Sequence, residues 1–215
     1  RLDAMLARSI EMDAAAMDII GAEDFELCSG GANVVACFNA CEVALEHASA
    51  LRELISAGFH TTAASVLRMQ FEALVRAMWL LWAANESELE KINAPLSSES
   101  EAAASKLPMV AKMIERLKDA GPRGAYEMVN GFKSTMLGGL NSFVHSGIHP
   151  LQRSRMGYPE RLVGQLLQNS NAVFLMTTML LANLTGDAAI SKAMSKIQPG
   201  FADCLPELLT QQSPQ

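Results

Sequence analysis

The sequence predicts an all-α protein, a single-domain bundle of roughly five long helices with shorter ones between them. Apolar residues recur at spacings of three and four along nearly the whole chain, as in helices that bury one face. No segment shows the sustained alternation of apolar and polar residues that marks a half-buried strand. Half of the 215 residues are hydrophobic, ample for one large core. No domain boundary is evident, so we expect one domain over 1–215, with a frayed tail from about residue 211.

Three long helices are predicted in the first half of the chain. The first covers residues 1–20 and is amphipathic, with acids between its apolar positions. The second spans about 33–57 and ends before Gly58, which accepts positive φ at no steric cost. The third spans about 61–85, capped by one of the two threonines at its start. Because it is apolar nearly all round, we expect it to be the central, buried helix.

Short helices are expected next. Ser87 and Glu90 have the spacing of a capping box, and the small polar segment 94–100 is the best candidate for a mobile loop. Pro108 suits the first turn of a helix that ends near residue 120.

Two more long helices complete the bundle, over about 124–145 and 160–184. Between them lies a basic segment with two glycines and one proline. Gly186 ends the last long helix, and a shorter helix begins at Asp187.

Composition excludes several classes of protein. The formal charge of −6 argues against tight non-specific binding of a polyanion, since that binding depends on Lys and Arg neutralising phosphates. A membrane-spanning helix needs about 20 apolar residues. Charged residues interrupt the nearest approach, 63–84, and the run 172–184 is too short. We therefore expect a cytoplasmic protein that does not span a membrane.

The four cysteines point to core positions rather than to a metal site. Cys37 and Cys41 share one helix face, but no second Cys or His pair completes a metal site. We expect reduced, buried thiols, no metal and no cofactor. Phosphate-binding Gly-rich loops, zinc motifs, serine-hydrolase motifs and the Glu-x-x-His pairs of di-iron bundles are all missing.

Charged side chains interrupt the otherwise apolar third helix. Arg68, Glu72 and Arg76 stand four residues apart and form one polar line near Trp79. A buried charge must be paired, and Glu72 between two arginines supplies the partner. The remaining arginine is free to hold an anion through two hydrogen bonds. The alternative is that the line faces solvent or ties helices together.

A second polar pair stands at the end of the helix over 124–145. Asn141 and His145 lie four residues apart, so their side chains point the same way. Because the ordinary pKa of histidine lies near neutral pH, histidine is the usual general acid or base in catalysis. Arg153 and Arg155 follow, so an anion would meet several cations there. The alternatives are a histidine that caps carbonyls and cations that are simply solvated.

Two stretches resemble a known group of proteins. Residues 64–81 look like the central helix of uncharacterised bacterial helical proteins that carry an Arg, a Phe/Leu-Glu pair and a second Arg there. Residues 144–147, Val-His-Ser-Gly, resemble their late His-Gly or His-Ser-Gly sequence. That group is similar to the HEPN superfamily of helical bundles. Many HEPN members are metal-independent ribonucleases of toxin–antitoxin and phage-defence systems.

The resemblance implies a degenerate HEPN site. The HEPN motif is an Arg, a polar residue, three further residues and a His on one helix. Asn141 matches the polar position and His145 the histidine, but Leu140 stands where the arginine belongs. In the family that arginine is thought to stabilise the phosphoryl transition state. Either the activity is lost or another arginine substitutes for it. The candidates are Arg68, Arg76 and Arg153.

Three functions remain open. The first is a HEPN-like binding or interaction protein in a defence context, and we favour it. The second is an active ribonuclease toxin that uses His145 with a relocated arginine. The third is a structural, antitoxin-like or scaffold protein. We expect an anionic, nucleotide-like or RNA ligand and a protein partner from the same operon. HEPN-like proteins commonly pair, and 13 Met suit adaptable packing, so we also expect a homodimer.

Overall fold

The computed structural model describes residues 1–21 and 24–207, and this part of the chain is all-helical, without strands. It contains ten α-helices, more than the roughly five long ones expected. Five have 19 to 25 residues and five have 7 to 11. The helices are α1 (Leu2–Ile20), α2 (Ala32–Ser56), α3 (His60–Trp82), α4 (Glu86–Asn93), α5 (Ser98–Ala104), α6 (Val110–Ala120), α7 (Arg123–Val144), α8 (Ile148–Met156), α9 (Glu160–Leu184) and α10 (Ala188–Met194). A 3₁₀ segment, Gln198–Cys204, follows. The tail expected to fray from about residue 211 lies outside the described residues.

Helices α2, α3 and α9 form the centre of the bundle. The antiparallel pair α2–α3 turns at Gly58, whose φ is +81°, as predicted for that glycine. The prediction that α3 is buried is confirmed, since 13 of its 23 residues are buried. Helix α9 packs on α3 through two buried hydrogen bonds. Gln70 Nε2 donates to the Ser170 carbonyl at 3.0 Å, and Ser170 Oγ donates to Gln70 Oε1 at 2.7 Å. These two hydrogen bonds replace those that the Gln70 amide and the Ser170 hydroxyl would otherwise make with water.

Helix α1 is held to this centre by polar contacts. An ion pair joins Asp13 to Arg52 of α2. Asn171 of α9 donates to Ser9 Oγ at 2.7 Å and to the Cys204 carbonyl at 2.9 Å. Since all three of the latter residues are buried, this network fixes α1 and the 3₁₀ segment against α9.

Helix α7 lies antiparallel to α3 on its outer side. Gly121, just before α7, approaches the Trp82 ring at the end of α3. Phe132 stacks on Phe71 with ring centroids 4.3 Å apart. Farther along α7, Asn141 meets the Arg68 side chain. This pairing places the polar line of α3 beside the predicted histidine motif.

Several local predictions need correction. The capping box of α4 is Asn85 with Glu88, not Ser87 with Glu90, because α3 ends early enough for Asn85 to become the cap. Part of the segment 94–100 is helical, since Ser97 caps α5.

Helix boundaries also differ at three other places. Helix α3 begins at His60, before both threonines, with no side-chain cap. Pro108 precedes α6 instead of lying in its first turn. The basic segment between the last two long helices contains α8.

Among the described residues, one helix, α2, is long and apolar enough to cross a membrane by length and composition. It is not one of the two stretches singled out from the sequence. Nine of its residues are buried in contact with α1, α3 and α9. The apolar composition of α2 is therefore explained by its packing in the core of the bundle.

Candidate functional site

The polar line of α3 lies at the edge of the core. Arg68 Nη1 lies 2.5 Å from Glu72 Oε1, in an ion pair without hydrogen-bond geometry. The Arg68 side chain is 13% exposed and that of Glu72 is 35% exposed. Arg76 is half-buried and forms no ion pair or hydrogen bond with a described residue. Glu72 therefore neutralises one arginine and leaves the other available.

Arg68 also reaches the predicted histidine motif. Its Nε donates to Asn141 Oδ1 at 2.8 Å, which joins α3 to α7. This contact agrees with the alternative interpretation of the polar line, since Arg68 ties α3 to α7. The Arg68 guanidinium is thus restrained on two sides, by the hydrogen bond to Asn141 and by the ion pair with Glu72.

Leu140, which stands where the resemblance to HEPN proteins would place an arginine, is a core residue. Leu140 is 3% exposed and belongs to the hydrophobic core, whereas the next residue, Asn141, is exposed. A charged side chain at 140 would have to be buried, at a considerable cost in free energy. The packing of α7 therefore disfavours an arginine at position 140.

His145 ends α7 and is exposed. Its backbone N–H donates to the Asn141 carbonyl at 3.1 Å, and its side chain forms no hydrogen bond with a described residue. The next residue, Ser146, has a φ of +51°. Gly147 then packs so closely that a Cβ would lie 2.7 Å from Ser142 Oγ. His145 therefore lies at the surface, at the start of a tight turn.

An aromatic cluster that the sequence did not predict lies beside this turn. Tyr158 OH lies 2.6 Å from Thr61 Oγ1, and its ring contacts that of His60 at 5.2 Å. Phe143 lies 5.9 Å from the His149 ring, centroid to centroid. No spacing in the sequence relates residue 60 to residue 158, so only the packing of the segment between α8 and α9 on the start of α3 reveals the cluster.

The remaining predicted site residues lie apart from these contacts. Arg153 is half-buried on α8 and Arg155 is exposed, and neither side chain pairs with a described residue. Trp79 is wholly buried. Its indole N–H has no partner in the described part of the chain, and the Arg116 guanidinium lies 5.6 Å over its ring. Trp79 therefore belongs to the core and presents no exposed face to a ligand.

The cysteines lie away from this region. Cys37, Cys41 and Cys204 are buried, but Cys28 is exposed, unlike the prediction for all four. The neighbouring Cys37 thiol and burial raise the pKa of Cys41 well above its usual value. Burial raises the pKa of Cys204 to about 11. Within residues 1–21 and 24–207, no three His, Cys, Asp or Glu side chains form a group that could hold a metal ion.

The fold and the site define an all-α bundle whose outer helix carries an Asn-x₃-His pair next to an arginine of the central helix. The chain belongs to a family of unknown function, DUF6988, whose model matches residues 41–207. All the predicted site residues fall within the matched part. No curated protein and no solved structure matches the chain.

Proposed function

We propose that this protein binds an anionic, phosphate-bearing ligand, a nucleotide or single-stranded RNA, at a degenerate HEPN-like site on α3 and α7. The observation that carries the proposal is the contact between Arg68 and Asn141, with the unpaired Arg76 two turns away on the same line. An arginine without an acidic partner can grip a phosphate through two parallel hydrogen bonds. The exposed His145 adds a further donor on the same side of α7.

Binding is favoured over catalysis because the motif position lacks an arginine and because Arg68 is already paired within the protein. Leu140 occupies the motif position with an apolar, buried side chain. Arg68 already donates to Asn141 and is paired with Glu72, so much of its charge is compensated before any ligand arrives. A transition state with growing negative charge needs preorganised donors that are free to meet it.

Fluorescence anisotropy with a labelled single-stranded RNA and with AMP tests the proposal. We expect saturable binding that weakens as salt is raised. Arg76→Ala should weaken it at least tenfold, because even one charge-assisted hydrogen bond contributes about 1.5 kcal/mol or more. Lys118→Ala is the matched control, because Lys118 is exposed on α6 and unpaired with any described residue. No saturable binding, or equal effects of the two variants, would overturn the proposal in favour of a structural scaffold.

An active ribonuclease is the second candidate. It is favoured by the same contact, because Arg68 brings a guanidinium to the Asn-x₃-His pair from another helix. RNA incubated with the protein in EDTA would then be cleaved, and His145→Ala would abolish the cleavage. Intact RNA under these conditions would exclude this candidate and leave the binding proposal standing.

A homodimer formed through α8 completes the proposal. The helix begins three residues after His145 and exposes three large apolar side chains, with Ile148 at 64%, Leu151 at 66% and Met156 at 68%. Sedimentation at micromolar concentration should give twice the mass of 23.1 kDa. Leu151→Asp should halve that mass, whereas Leu96→Asp should not, since Leu96 is 95% exposed elsewhere. A monomeric wild type would refute the dimer.

We also propose a cytoplasmic location, because free cysteines are typical of a reducing compartment. The resemblance to HEPN proteins further implies a protein partner from a phage-defence or toxin–antitoxin operon. Co-expression with the neighbouring genes, followed by co-purification, tests for that partner.

A further inference from the structure

Five methionines from four helices line one cleft at the C-terminal end of α3. No pattern in the sequence groups them, because they come from α3, α7, α9 and α10. The five are Met78, Met128, Met176, Met179 and Met194. The half-buried Trp82 ring lines the same cleft, whose volume is about 280 Å³. More than a third of the chain's 13 methionines thus converge on a single space.

The lining of this cleft is mainly apolar and carries no charged side chain, although Asn183, Ser195 and Gln198 also contribute to it. Such a surface disfavours an ionic ligand, since a charge placed there would lose its hydration without gaining a partner. Methionine side chains are flexible and polarisable, so they adapt to flat or irregular apolar shapes. An aromatic ring and several thioethers around one space suit an aromatic guest.

A polar group lies at the edge of the cleft. Asn183 follows Met179 by one turn of α9 and lines the same space. Its side chain is exposed, and its amide forms no hydrogen bond with a described residue. Small-molecule sites typically combine an apolar interior with a few such groups that orient the ligand.

We propose that this Met-rich cleft binds an uncharged aromatic molecule of about two fused rings that carries one hydroxyl or carbonyl group. The size follows from the volume, because a cavity of about 150 Å³ accommodates one benzene ring. The apolar body lies among the methionines and Trp82, and the polar group faces Asn183. This site is independent of the anion site, because its lining contains none of the arginines or histidines.

Methyl NMR of protein labelled with [methyl-¹³C]methionine tests the proposal, with 2-naphthol as the probe. We expect saturable shifts at the resonances of the five cleft methionines. Met69 and Met109, which are 41% and 79% exposed elsewhere, should not move. Absence of shifts, shifts that never saturate, or shifts spread equally over all 13 methionines would overturn the proposal.

Two variants sharpen the test. Asn183→Leu should weaken 2-naphthol binding about fivefold through the lost hydrogen bond and leave naphthalene binding unchanged. Equal changes for the two probes would refute the role of Asn183.

Ala125→Trp should fill the cleft from α7 and abolish binding of both probes, because Ala125 lines it. Unaltered binding to a folded Ala125→Trp protein would place the probe elsewhere, and the wild-type spectra decide the question if that variant does not fold.

Discussion

Arg68 Nε lies 2.8 Å from Asn141 Oδ1, although the two residues are 73 positions apart in the chain. The same guanidinium pairs with Glu72 through Nη1, a buried nitrogen with no hydrogen-bond partner in the described residues. Arg68 is therefore positioned by one neighbour on its own helix and by one on α7.

Glu72→Ala should lower the free energy of unfolding by about 1–2 kcal/mol, because it leaves the buried Nη1 of Arg68 without its counter-charge. The loss stays below the roughly 3–5 kcal/mol of a fully buried pair, since the Glu72 side chain is 35% exposed. His145→Ala, at an exposed position, should change stability by less than about 0.5 kcal/mol. Urea unfolding of both variants checks this. Equal losses would contradict the pairing of Arg68 with Glu72.

Acid should destabilise the junction of α3, α4 and α6 through Glu88. The Arg116 guanidinium donates to both carboxylate oxygens, at 2.7 and 2.9 Å, and holds the pKa of Glu88 below its usual 4.5. A lowered folded-state pKa adds stability above the unfolded-state pKa and loses it as pH falls through the folded value. Glu88→Gln should therefore cost on the order of 1 kcal/mol near pH 7 and progressively less below about pH 4.5.

The matched control is Glu86→Gln, since Glu86 lies in the same first turn of α4 but pairs with no described residue. It should lose only the helix-dipole contribution, a few tenths of a kcal/mol. Thermal unfolding of the two variants between pH 3 and 7 distinguishes them. A cost for Glu88→Gln that does not depend on pH would show that the ion pair is not its source.

One of the four thiols should react readily in the native state. Cys28 is exposed, whereas Cys37, Cys41 and Cys204 are 0% exposed. Burial also keeps Cys204 protonated at pH 8, because its pKa is about 11, and only the thiolate is nucleophilic. Iodoacetamide at pH 8 should add one label to the native protein and four after unfolding, as counted by mass spectrometry. Cys28→Ser should remove the native label, and rapid labelling of a second cysteine would show that the core opens.

Gly186→Ala should destabilise the protein more than Gly58→Ala. Both glycines have positive φ, +71° and +81°, so either alanine is strained by about 1 kcal/mol. At Gly186 the new Cβ would also lie 2.8 Å from Cys28 Cβ, whereas nothing lies within 4 Å at Gly58. Denaturant unfolding should show an extra loss at Gly186 that Cys28→Gly relieves. Equal losses would mean that the segment before α2 does not pack on Gly186.

Much of the fold is predictable from the sequence because helical periodicity is local. The apolar pattern of α3 predicts a buried helix, and Gly58 and Gly186 both adopt the positive φ expected at helix ends. The first and last residues of a helix are harder to predict where two possible capping patterns lie within a few residues of each other. Asn85 and Ser87 both precede an acid by three positions, and only the end of α3 selects Asn85 as the cap.

The sequence by itself determined the all-α class, the polar line on α3 and the Asn-x₃-His pair at the end of α7, since each depends on residues within a few turns of one another. Only the tertiary structure decided that Arg68 meets Asn141, that Trp79 is buried, and that methionines of four helices share one cleft. The physical reason is that these contacts depend on which helix faces pack together. That choice follows from the burial of apolar surface over the whole chain, which no short pattern contains.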